Sequence, residues 1–245
     1  TERMIRQAID AHAPFKNCTL KVYAKGSYAN KTNVRSDSDV DIAVECTEAL
    51  YWDEAEKGLY TPSGRYEGVW TPAKLRAELL TALKAKFSNQ VDNTGSAAIQ
   101  INSGSARVDA DAVPCFSYRY YLKNGSRSGT KIFKAGGGSL VNYPAQQLEN
   151  GIDKNKRTGY AYKKGARLLK RIENVMAEDG TFRDLPSFFI ECLAYNCPDS
   201  IFVHSTWTDC LRAMLLHIWE QLQGDEPSKG RWVEASDRFF LFHSD

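Results

Sequence analysis

Apolar positions recur along this chain with two different periods, and the change from one to the other divides it. Near Arg3–His12, Met4, Ile5, Ala8 and Ile9 fall on one side of a short amphipathic helix. Leu20, Val22 and Ala24 then alternate with Lys21, Tyr23 and Lys25, the period-2 pattern of a half-buried strand. A loop from Gly26 to Ser38 leads into a second strand, Asp39–Val44. The segment Ala49–Trp70 holds Gly58, Pro62, Gly64 and Gly68 and reads as irregular. Thr71 is a good N-cap, with Pro72 in the first turn and Leu75, Leu79, Leu80 and Leu83 on one helical face. Strands are expected around Ala97–Ile101 and Arg107–Val113, joined by a turn at Asn102–Ser105. Phe116–Tyr121 reads as extended, and Gly136–Gly138 breaks structure near the end of this half.

From about Ala145 the period becomes helical. Gly165–Met176, the almost wholly apolar Ser187–Asn196, and Thr208–Leu222 are the expected helices. The pattern therefore gives a strand-rich part, residues 1–144, followed by a helical part, residues 145–245. Phe239–Phe242 reads as part of an element, so the natural chain is expected to continue past Asp245.

Composition narrows the class more than the function. At 42% hydrophobic and 25% charged, the 245 residues suit a globular protein with a sizeable core. The polar start, Thr1 to Met4, lacks a signal-peptide pattern, and no apolar run reaches the roughly 20 residues of a membrane helix. The expectation is a cytoplasmic protein with no membrane partner. Net charge is only +2, yet Lys154, Lys156, Arg157, Lys163, Lys164, Arg167, Lys170 and Arg171 follow one another with no acid between them. Such a run is either a solvated helix face or the wall of an anion site. The six cysteines form no C-x-x-C pair, and the four histidines lack zinc-ligand spacing.

The acidic residues carry the chemistry. On a strand Asp39 and Asp41 share one side while Val40, Ile42 and Val44 point into the core. Residues two apart lie roughly 6.5–7 Å apart, so their carboxylates can converge on a metal pair of the kind used for in-line phosphoryl displacement. Magnesium suits oxygen ligands from carboxylates and phosphates. Asp37 has the same parity but precedes the apolar alternation, and reads as loop. Asp109 and Asp111 again share a face, opposite Val108; an acid in an apolar strand needs a cation partner, and a third carboxylate there can complete a metal site and serve as general base. Gly26-Ser27 adds backbone N–H groups that can approach phosphate closely, and a hydroxyl donor.

The order of these parts is more specific than any one of them. KGSYANKTNVRSDSDVDIAVE (25–45), VDADAVPCF (108–116), GARLLKRI (165–172) and LPSFFIECL (185–193) together resemble the polymerase-β-like nucleotidyltransferase superfamily. Within it they are similar to the bacterial cyclic-oligonucleotide synthases, the CD-NTases, over most of Leu20–His217. The resemblance implies an α+β fold, with a mixed β-sheet carrying the aspartates and a C-terminal helical lobe closing the nucleotide cleft. It implies Asp39 and Asp41 as metal ligands, with Asp111 ahead of Asp109 as the third because it directly precedes Ala-Val-Pro. Gly26, Ser27, Lys170 and Ser187 would hold phosphate. Phe188, where relatives often carry Tyr, would stack on a base.

Two ions, Mg²⁺ or Mn²⁺, would assist attack of a ribose hydroxyl on an α-phosphate. The substrates would be ribonucleoside triphosphates: ATP, GTP or both, with pyrimidine triphosphates also open. The product would be a cyclic di- or trinucleotide that acts on a separate effector in anti-phage defence, made by a monomer without zinc-dependent DNA sensing. The alternatives are a linear oligonucleotide synthase or RNA-tailing enzyme, and a catalytically silent nucleotide-binding module.

Overall fold

A computed structural model describes residues 1–34, 39–60, 64, 66–104, 109–181, 183–224, 227, 228 and 230–242. Asp37, Ser38, Pro62, Ser105, Arg107, Val108 and His243, all used in the sequence argument, lie outside the described residues. The chain divides into two units: Thr1–Lys25 with Ser36–Tyr143, and Gly26–Arg35 with Pro144–Asp245.

The first unit is built on one mixed sheet. Its strands are β1 (Leu20–Ala24), β2 (Val40–Glu54), β3 (Val91–Asp92), β4 (Ile99–Ile101), β5 (Ala110–Leu122), β6 (Gly125–Phe133) and β7 (Ser139–Asn142). The order runs β1-β2-β5-β4-β3, and the far end of β5 pairs with β6, which pairs with β7. Among the described residues only β2 and β5 run parallel. Alternation assigns the faces. Val40, Ile42 and Val44 are buried with Ile99, Ile101, Ala110 and Ala112 beneath two helices, α1 (Glu2–Ala11) and α3 (Pro72–Phe87). Residues of the opposite parity, Ala43, Val113 and Cys115, form a smaller cluster on the other face. The α3 cap is as expected, with the Thr71 hydroxyl accepting the Lys74 N–H at 3.2 Å.

Three features of this unit differ from the sequence reading. Strand β2 does not stop near Val44: its register with β5 shifts between Cys46 and Leu50 and pairing resumes as far as Glu54. The start of Ala49–Trp70 is therefore strand, because a bulge absorbs the broken alternation. Of the two segments read as extended, Arg107–Val113 and Phe116–Tyr121, the residues from Ala110 onward belong to the single strand β5. The β6–β7 hairpin brackets Gly136–Gly138, and its polar residues left no clear period-2 signal.

The second unit holds α2 (Gly26–Asn30), α4 (Pro144–Arg157), α5 (Tyr162–Glu178), α6 (Ser187–Asn196) and α7 (Trp207–Gln221). Tyr162, Ala166, Leu169, Ile190, Leu193, Ala194, Phe202 and Met214 form its core. Helix α4 was not foreseen, because its exposed polar and basic residues hide a weak apolar stripe. The expected loop after Gly26 opens instead as α2, which Thr32 closes by donating its N–H to the Ser27 carbonyl at 2.9 Å. Gly26 has φ = +66°, a left-handed conformation that glycine tolerates without a Cβ penalty. Val233 and Phe240 form an isolated antiparallel bridge. Among the described residues no helix is long and apolar enough to cross a membrane.

Candidate active site

The parallel register of β2 and β5 sets Asp41 directly beside Asp111. Neighbouring strands are about 4.8 Å apart, so the two carboxylates leave the same face of the sheet one strand spacing from each other. Gln100 of β4 is the next partner in the row, opposite Asp111. Asp39 lies two residues before Asp41 and is exposed. Behind these groups sit Ala43 and Val113, so the pair stands at the rim of an apolar patch.

This placement has an electrostatic consequence. Burial pushes the Asp111 carboxyl up to about 6, and repulsion from Asp41 and then Asp39 adds to the rise, against opposing contributions from Lys25 and a Gln100 hydrogen bond. Burial also raises Asp41, while Lys25 opposes the rise from an Nζ–Oδ1 distance of 3.9 Å. Lys25 is held there through its backbone, whose N–H donates to the Asp41 carbonyl at 2.8 Å. The site thus gathers negative charge that Lys25 only partly offsets, and a divalent cation would relieve that repulsion. Among the described residues, no three His, Cys, Asp or Glu side chains are drawn close enough to grip an ion as they stand. The strand register nevertheless brings Asp41 and Asp111 together, and mutual repulsion favours side-chain rotamers that keep like charges apart.

Asp109 is placed differently. It precedes β5, its carbonyl accepts the Val40 N–H at 3.0 Å, and its carboxylate accepts the Ser103 N–H. Turn chemistry therefore occupies Asp109, while Asp111 faces Asp41.

In the second unit Gly26 and Ser27 open α2. Ser187 and Phe188 are the first two residues of α6, both exposed, with Phe188 at 39%. Lys170, expected to reach a phosphate, is engaged inside the second unit. It is 1% exposed, and its Nζ lies 2.9 Å from Oε2 of the equally buried Glu191. The helical stripe that buries Ala166 and Leu169 carries Lys170 inward with them. Glu191 was missed, although the sequence held a signal for it: it is the single charged residue in an otherwise apolar helix, which needs a cation partner.

The basic run divides in the same way. Lys154 is buried, with Nζ 2.8 Å from both Asp199 Oδ1 and the Cys197 carbonyl oxygen. Lys164, Arg167 and Arg171 instead line, with Asn33 and Trp207, a cavity of about 370 Å³. The run is thus split between a buried lysine and residues that line a cavity.

Residues 149–245 match the family described as the cGAS/DncV-like nucleotidyltransferase C-terminal helical domain. Over 99% of its length the chain is 35% identical to the cyclic dipyrimidine nucleotide synthase CdnE of Legionella pneumophila, covering 83% of that protein. Over 91% it is 32% identical to the cyclic dipurine nucleotide synthase of Elizabethkingia meningoseptica, covering 77% of it. Among solved structures, the Rhodothermus marinus CdnE c-UMP-AMP synthase with Apcpp and Upnpp superposes with a TM-score of 0.85, at 27% identity over 100% of this chain and 82% of that one. Aspartates paired across β2 and β5, a helical domain matched by its family and relatives covered over most of their length all agree: the chain is a nucleotidyltransferase and belongs to the CD-NTase family.

Proposed function

We propose that this enzyme joins ribonucleoside triphosphates into a cyclic di- or trinucleotide, releasing pyrophosphate at each step. The observation that carries the reading is the Asp41–Asp111 register, with Asp39 two residues upstream. Asp39, Asp41 and Asp111 would hold two Mg²⁺ or Mn²⁺ ions. Bound metal lowers the pKa of the attacking hydroxyl and neutralises charge on the attacking and leaving oxygens. Asp111, set beside Asp41 by the strand register, is placed to accept the proton of the ribose hydroxyl. Gly26 and Ser27 bind triphosphate oxygens through backbone N–H groups and a hydroxyl, Ser187 donates to phosphate from the start of α6, and the half-open Phe188 ring stacks on a base at a gain of about 1–3 kcal/mol.

Residues 1–144 serve as the catalytic core and 145–245 as the helical lobe, with Gly26–Arg35 packing among the helices. The relatives' names cover dipyrimidine, dipurine and UMP-AMP products. The substrate class proposed is therefore ribonucleoside triphosphates, without a choice of base. The product acts through a separate effector in anti-phage defence, in the cytoplasm.

The test is incubation with all four ribonucleoside triphosphates and Mg²⁺ or Mn²⁺, followed by mass spectrometry before and after phosphatase. A phosphatase-resistant cyclic mass is the expected result. A phosphatase-labile product would establish a linear synthase, and no product under either metal would favour a silent module.

The raised Asp111 carboxyl also fixes a pH dependence. A carboxyl near 6 when folded, against about 3.9 unfolded, binds its proton more tightly in the native state. Its contribution to stability is complete below the unfolded value and lost as pH rises through about 6. Mg²⁺ must displace that proton. Thermal shift assays should therefore show a larger Mg²⁺-induced rise in Tm at pH 7.5 than at pH 5. A larger rise at pH 5 would remove Asp111 from the metal site.

A further inference from the structure

The segment that follows Gly26-Ser27 is gripped from the helices by an unusual set of bonds. Glu191, 2% exposed in α6, accepts from Asn30 Nδ2 at 3.2 Å through one oxygen. Its other oxygen accepts from the hydroxyl of Thr32, which is 0% exposed, and from Lys170 Nζ. One residue between these two donors, the Lys31 carbonyl accepts from Arg167 Nη1 at 2.6 Å. Thr32 passes the constraint back along the chain, because its N–H closes on the Ser27 carbonyl. The partition of the chain agrees, since Gly26–Arg35 clusters with the helices rather than with the strands on either side of it in sequence.

A surface turn has no need of an anchor of this kind. Exposed loops hold their shape with local bonds, and burying a carboxylate is costly unless its oxygens are filled. Here a single buried carboxylate is filled by two donors from one short segment plus a countercharge. That arrangement fixes the positions of Asn30 and Thr32, and through Thr32 the backbone of the Gly26-Ser27 turn. We infer that Glu191 is a positioning residue: with Lys170 as its countercharge, it sets the Gly26-Ser27 turn in the conformation that binds triphosphate. The inference rests on the reading of Gly26 and Ser27 as the triphosphate holder. Lys170 acts here through Glu191 rather than by touching phosphate.

The experiment compares Thr32→Val, Thr32→Ser and Ser27→Ala. Thr32→Val keeps the branched shape and removes the bond to Glu191, while Thr32→Ser restores the hydroxyl. Each variant is assayed for KM and kcat and for binding of a non-hydrolysable triphosphate analogue, with Tm recorded alongside. The expected result is a KM and Kd at least about tenfold higher in Thr32→Val with kcat within about threefold, near-normal binding in Thr32→Ser, and weakened binding in Ser27→Ala. Weak binding in Ser27→Ala with normal binding in Thr32→Val would overturn the positioning role alone. Normal binding in Ser27→Ala would overturn the triphosphate reading, and the inference with it. Equal losses in Thr32→Val and Thr32→Ser would reduce the contact to packing and overturn the inference too. If Thr32→Val fails to fold, Asn30→Ala removes the second donor to the same carboxylate: a tenfold rise in Kd supports the inference, and unchanged binding overturns it.

Discussion

Replacing Asp39 and Asp41 together by alanine should reduce product formation at least about 10³-fold while leaving the fold intact. The two halves of this expectation have separate causes. Activity is lost because two of the three carboxylates proposed to hold metal are gone, and a lone Asp111 offers a hard cation too few oxygens. Stability is kept because neither side chain belongs to the core: Asp39 is exposed, and Asp41 carries a burial cost that raises its carboxyl. Removing both also relieves the repulsion they exert on Asp111. Without metal, the Tm of the double variant should equal or exceed that of the wild type. Product at the normal rate would show the metal assignment to be wrong. Loss of product with a Tm lowered by many degrees would show that the aspartates matter to folding instead.

Lys170→Met is expected to do the opposite. It leaves Glu191 buried, without its countercharge, among the helices of the second unit. Breaking a buried pair from one side costs about 3–5 kcal/mol. At roughly 2–4 °C per kcal/mol for a protein of this size, Tm should fall on the order of 10 °C. Adding Glu191→Gln removes the stranded charge and keeps one acceptor oxygen toward the Asn30–Thr32 segment, so the double variant should recover most of the loss. A lysine that bound phosphate directly would behave otherwise, with a nearly unchanged Tm and no recovery from the second substitution. Differential scanning calorimetry beside steady-state kinetics separates the two.

Residues whose burial follows local periodicity were legible in the sequence, and those whose roles depend on distant partners were not. The parity of Asp39, Asp41 and Asp111 against Val40, Ile42 and Val44 follows from strand geometry alone. The pairing of residue 41 with residue 111 does not, because register across a parallel pair is fixed by the whole sheet. The α3 cap at Thr71 was readable because its physics is local. The burial of Lys170 was not legible because a lysine on an amphipathic helix reads as solvated until its partner is known, and that partner lies 21 residues away. Thr32 gave no signal of its own: a threonine in a polar loop is ordinary until a buried carboxylate is found to accept its hydroxyl. Lys25 and Gln100 became visible as neighbours of the aspartates only once the strands were ordered.

The most direct measurement compares Asp111→Asn with Asp109→Asn, two changes of equal size two residues apart, by mass spectrometry of the products made with Mg²⁺. The carboxylate beside Asp41 is the one expected to matter. Asp111→Asn should therefore give no detectable cyclic product, while Asp109→Asn, which keeps an oxygen to accept the Ser103 N–H, should stay within about tenfold of the wild type. An active Asp111→Asn enzyme paired with a dead Asp109→Asn enzyme would contradict the account at its centre.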